Sequence, residues 1–94
     1  MRIKNMMEKL FKQMMKEKHD FYHYEELFEE CGDAAVKSKL QAIATQELQH
    51  YKELYDIVFK EDPTRNWTPM ERVVHHQAKE WYEEMVEEMK HFGK

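Results

Sequence analysis

Three side chains in this sequence have the types and spacing to hold a cation: Glu17, Glu47 and His50. Glu47-Leu48-Gln49-His50 sets a carboxylate and an imidazole three residues apart, which on a helix is one face. Each of the three sits within a row of apolar residues. The row through Glu17 is Ile3, Met7, Leu10, Met14, Glu17, Phe21, Tyr24 and Phe28; the row through the other two is Val36, Leu40, Ile43, Glu47, His50, Leu54 and Ile57. Alternating steps of four and three mark the seam of a helix that faces other helices. A buried carboxylate without partners is costly, and two at one level repel unless a proton or a cation lies between them. A metal ion resolves that conflict. The alternatives are that the two carboxylates reach solvent along the helix edge, or that His50 hydrogen-bonds one of them.

The elements that must position these groups are long helices. With 36% charged residues, 41% hydrophobic residues and only two Gly and two Pro in 94 residues, collagen-like, Pro/Gly-rich disordered and all-β readings are excluded. Helix 1 fills Arg2 to Glu30, a stretch without Gly or Pro. Cys31-Gly32-Asp33 reads as stop and restart, with Gly32 free to adopt a left-handed conformation and Asp33 capping the next helix. Helix 2 is expected over about 34–60, followed by a linker over 61–67 in which Pro63 breaks the helical pattern. Thr68-Pro69-Met70-Glu71 is a capping box with proline at the first helical position, and helix 3 runs over about 69–92 with Gly93 as its stop. Its apolar row is Val74, Ala78, Trp81, Met85 and Met89. The expected fold is therefore a single all-α domain over 1–94, a long antiparallel hairpin plus a third helix. Folding the hairpin about Gly32 puts Glu17 and Glu47, each 15 residues from that glycine, at one level, with His50 one turn further along.

Other clusters are weaker. His19 and His23 are four apart but fall off the seam, His75 and His76 point two ways around helix 3, and Glu88-Met89-Lys90-His91 repeats the Glu-x-x-His spacing away from the apolar row. The eight methionines, four of them at positions 6, 7, 14 and 15, fit core filling better than a membrane-surface helix. Trp67, Trp81, Tyr82, Tyr51 and Tyr55 are expected to make the helix 3 contact. Residues 1–18 hold six Lys/Arg against two Glu, a local +4, so the remainder carries −8 of the net −4; there is no concentrated basic face for nucleic acid. No apolar run reaches membrane-span length, and charged residues interrupt the N-terminus where a signal peptide needs an apolar core. The one cysteine, Cys31, cannot form an internal disulfide or a Cys-rich metal site, and a reducing cytoplasm is the expected compartment.

From Gly32 through Ala42-Ile43-Ala44-Thr45-Gln46-Glu47-Leu48-Gln49-His50 the chain resembles the ferritin-like superfamily, rubrerythrin-type members most closely. The resemblance covers about residues 10–60. It implies a dinuclear iron or manganese centre inside a four-helix bundle, each half supplying one helix with a Glu and one with Glu-x-x-His. One hairpin here supplies half. A homodimer, or a higher homo-oligomer built from it, would supply Glu17, Glu47 and His50 twice, as the also short encapsulated ferritins build a comparable site from a dimer. Carried back through the turn without gaps, the match sets Met14 at the family's first-helix Glu position, with Glu17 one turn nearer the loop, about 4.5 Å along the axis.

The resemblance implies Fe(II) oxidation or peroxide reduction with an external reductant, since the Cys pairs of a rubredoxin-type centre are absent; Tyr24 and Tyr51, near the site by spacing, are the candidates to hydrogen-bond the ligands or donate electrons. The rival expectation is a metal-free helical oligomerisation or interaction module in which the same three polar residues fix register.

Overall fold

The computed structural model describes residues 2–59 and 66–92, with side chains from Met6 onward; the expected break at Pro63 and stop at Gly93 lie outside the described residues. Three α-helices make up the fold among those residues, and none of them is a strand: α1 (Arg2–Glu30), α2 (Ala34–Val58) and α3 (Pro69–His91). None of the helices is long and apolar enough to cross a membrane.

The local chemistry that ends and starts each helix is visible. Cys31 N–H donates to the Leu27 carbonyl at 3.0 Å, closing α1. Asp33 then caps α2, its carboxylate accepting from the Val36 N–H at 3.0 Å. Gly32 differs from expectation: its backbone is not left-handed, and a Cβ there would meet nothing within 4 Å. The turn is opened by the Asp33 cap, whose extended backbone (φ −97°, ψ 120°) redirects the chain, so the glycine is not required for its conformational freedom. At α3 both arms of the capping box form, Glu71 N–H to Thr68 Oγ1 at 3.1 Å and Thr68 N–H to Glu71 Oε1 at 3.2 Å. Thr68→Ala removes the first arm and is expected to cost about 1 kcal/mol, read as a lower denaturation midpoint with an unchanged m-value.

α1 and α2 pair antiparallel over their whole length and make the main interface, and α3 lies along them. The molecule is elongated, 50 × 23 × 17 Å, with a radius of gyration of 15.4 Å, against about 12 Å for a compact chain of this length. Within the helices the buried residues recur every seventh position, Met14, Phe21 and Phe28 on α1, Ala44, Tyr51 and Val58 on α2, Ala78 and Met85 on α3, and Phe59 just past α2 adds to the same core. That period is the one coiled-coil seams use. Phe92 extends the third row, its ring 4.8 Å from Phe28 and 6.0 Å from Phe21.

On α2 the centre of the core is one position away from the expected row. Ala44, Tyr51 and Val58 are buried, while Val36 and Ile57, which belong to the row through Glu47 and His50, are exposed at 44% and 55%. The physical reason is α3. Tyr51 donates its hydroxyl to the Ala78 carbonyl at 2.7 Å and stacks on Tyr82, and Tyr55 meets His75 and Tyr82. These contacts rotate α2 so that its aromatic flank faces α3. The Glu47 row is left at the margin of the core, with Val36 and Ile57 exposed near its two ends.

Candidate metal centre

Glu17 comes from the middle of α1 and Glu47 and His50 from the middle of α2. The antiparallel pairing brings one donor atom of each within 4.8 Å of the other two, the one group of three metal-ligating side chains that converges among the described residues. The level predicted by counting outward from the turn is therefore the level observed for all three. Met14, which sits where the resemblance sets the first-helix Glu, is fully buried in the core, and Glu17 takes the place beside Glu47.

Glu17 is largely buried, with 13% of its side chain exposed, while His50 is 52% exposed. Nδ1 of His50 lies 3.7 Å from Oε2 of Glu17, too long for a hydrogen bond. Oε1 of Glu17 is held by Gln13, whose Nε2 donates to it at 2.9 Å. Oε2 of Glu47 is buried and has no hydrogen-bond partner. An orphaned carboxylate oxygen is expensive to bury, and here it lies in a group that also offers a second carboxylate and an imidazole.

The electrostatics follow from that geometry. Burial pushes Glu47 up, and proton sharing with Glu17 and the charges of Glu17 and Asp20 push further, against Lys16, so that it titrates at about 7 instead of 4.5. For Glu17 burial also acts upward, but the shared proton from Glu47, the Gln13 amide and the nearby His50 outweigh it and hold the carboxyl below its usual range. The two carboxyls thus behave as one proton-sharing pair, Glu17 ionised and Glu47 protonated near neutrality. A first-row metal ion takes such carboxylate and imidazole donors at about 2.1 Å, so donors on opposite sides of it are about 4 Å apart. The 4.8 Å spread closes with small side-chain rotations. The residues therefore fit a cation in place of the shared proton.

Sequence reasoning missed Gln13, Asp20 and Lys16, which fix or tune the two carboxylates. Gln13 was legible as the residue four before Glu17 on the same helix face. The two tyrosines are placed differently from each other. Tyr51 is fully buried and its hydroxyl points to α3, while Tyr24 is half-buried with its ring 5.9 Å from His23.

The remaining polar pairs separate. His19 and His23 line an open surface cleft with Lys18, Tyr22 and Glu26. His76 pairs with Glu80 at 2.9 Å on the exterior, while His75 faces Tyr55, so the two histidines do diverge around α3. Glu88 faces Glu25 across the α1–α3 contact; burial first, then that carboxyl, raise Glu25 to about 7, and His91 turns to Glu87 instead, at 3.9 Å. No protein-family model, curated protein or solved structure matches this chain.

Proposed function

We propose that this chain is a ferritin-like dinuclear metal-binding protein that works as a homodimer. Glu17, Glu47 and His50 of two copies hold a pair of iron or manganese ions. The observation that carries the reading is the buried, unpartnered Oε2 of Glu47 beside Glu17 and His50. A bound cation would satisfy that oxygen and both neighbours at once. Bound iron or manganese in such a carboxylate-rich site supplies open coordination positions and redox chemistry toward O₂ or peroxide, hence Fe(II) oxidation or peroxide reduction.

Two features support the second copy. Three donors from one chain are too few for two metals, whereas two chains give four carboxylates and two imidazoles. The face bearing the site is also unpartnered and apolar at both ends, with Val36 and Ile57 exposed on α2 and Met6 on α1. Because Glu17 and Glu47 lie near the midpoints of their helices, a twofold axis through the site lets two hairpins overlap end to end in antiparallel orientation. The exposed imidazole of His50 would then be enclosed.

A second reading is favoured by the proton sharing between Glu17 and Glu47, which lets the pair persist without metal. Under it the chain is a helical interaction module with a degenerate site. Metal analysis of protein from iron- or manganese-supplemented growth, combined with native mass, separates the two. The first reading expects about two ions per dimer, the stoichiometry of the carboxylate family set; a metal-free dimer sinks it.

A further inference from the structure

Where α2 ends and α3 begins, a hydrogen bond joins a phenol to a base inside a stack of rings. The Tyr55 hydroxyl lies 2.8 Å from Nε2 of His75. The imidazole is flanked by Phe59, centroid 4.9 Å away with 29° between planes, and by Trp67, 5.4 Å away at 23°. On its other side Tyr55 stacks on Tyr82, and Tyr82 on Tyr51, each at 6.3 Å. Tyr51 follows His50 directly in sequence. A row of rings thus runs from Trp67 to the turn of α2 that carries the candidate ligands.

The chemistry of Tyr55 differs from that of the other tyrosines. A phenol that loses an electron becomes a strong acid and must lose its proton too, so it is easily oxidised only where a base accepts the proton. Among the described residues Tyr55 is the tyrosine whose hydroxyl meets such a base. Tyr51 donates to the Ala78 carbonyl, which cannot take a proton.

We propose that Tyr55 and His75 form a redox-active pair that passes single electrons between Trp67 and the candidate metal centre. With the neutral imidazole protonated on Nδ1, Tyr55 gives one electron to a one-electron oxidant and its phenolic proton to Nε2 of His75. A neutral tyrosyl radical hydrogen-bonded to imidazolium results. A one-electron reductant acting through Trp67 restores the phenolate oxygen's electron, and the proton returns from Nε2. The pair rests on the proposed metal chemistry for its physiological oxidant, the oxidising equivalents produced with O₂ or peroxide, and for nothing else.

The test uses the metal-free protein and photogenerated ruthenium(III) tris-bipyridine as oxidant, with freeze-quench electron paramagnetic resonance as the readout. A tyrosyl signal is expected that is lost in Tyr55→Phe and retained in Tyr51→Phe and Tyr82→Phe. His75→Gln keeps a hydrogen-bond acceptor but removes the base, and its signal should fall to the Tyr55→Phe level; a merely structural contact would leave it intact. Should the His75 variant fail to fold, Tyr55→Phe still decides, because a tyrosyl signal that persists without that phenol cannot belong to the pair. A radical confined to Trp67 or Trp81, or a tyrosyl signal that survives Tyr55→Phe, overturns the proposal. Since no metal is present, either result stands apart from the metal analysis.

Discussion

Replacing Glu47 and His50 together with leucine is expected to abolish retention of iron or manganese and, in the metal-free protein, to raise the melting temperature by roughly 5 °C. The two effects have one origin. Glu47 carries a buried oxygen without a partner, and burial and the neighbouring Glu17 carboxylate disfavour its charge, so the site stores unfavourable polarity that a cation would relieve. Leucine is of similar size and removes that polarity, which at a partly exposed site corresponds to about 1 kcal/mol, the lower end of what such replacements return. The same substitutions delete the imidazole and one carboxylate from each chain, leaving too few donors to hold two ions. Metal content by elemental analysis and calorimetric melting of the stripped protein check both halves. If the double variant keeps its metal, the ligands are elsewhere; if the stripped variant melts lower than the parent, the trio is a stabilising network and not a strained one.

The second large effect concerns pH. Glu47 and Glu25 both titrate at about 7 in the folded chain, well above the ordinary 4.5. A carboxyl whose folded value is raised contributes stability that is complete below the unfolded value and is lost as pH rises through the folded one. The metal-free protein should therefore lose stability steadily between about pH 5 and 8, where most proteins are flat. Glu17 is held low and acts in the opposite sense, its contribution being lost only as pH falls below the usual carboxyl range. Metal loading must displace the proton from Glu47. Affinity for Mn(II) should accordingly rise by at least about tenfold per pH unit below 7 and level off above it. Calorimetry in buffers of different ionisation enthalpy counts the released protons directly. An affinity that does not change between pH 5.5 and 7.5 would mean that the ion does not replace the shared proton. Glu25→Gln removes the α1–α3 carboxyl pair from the stability profile without touching the metal profile, which keeps the two sources apart.

Much of the site was open to reading because it depends on counting. An antiparallel hairpin with a short turn pairs residues equidistant from that turn, so the equal spacing of Glu17 and Glu47 from Gly32 was enough to set them level, and the Glu-x-x-His step added His50. The Thr68 box and the Asp33 cap were legible for the same reason, being contacts between residues three apart. Gly32 was misread because a glycine in a turn usually signals a left-handed residue, and here the chain reverses through Cys31, Gly32 and the extended Asp33 cap without one.

What the sequence by itself determined is the helical class, the helix ends and the axial level of the three candidate ligands, all of which follow from local propensity and from distances along the chain. Only the tertiary structure decided the rotation of α2, because a row offset by one residue satisfies the same periodicity; the hydrogen bond from Tyr51 to Ala78 and the Tyr55–His75 contact select the row that faces α3. That choice leaves Val36 and Ile57 exposed near the ends of the Glu47 row and sets how much each carboxylate is desolvated. Burial is a sum over neighbours from all three helices, and a single strip of sequence carries no record of it.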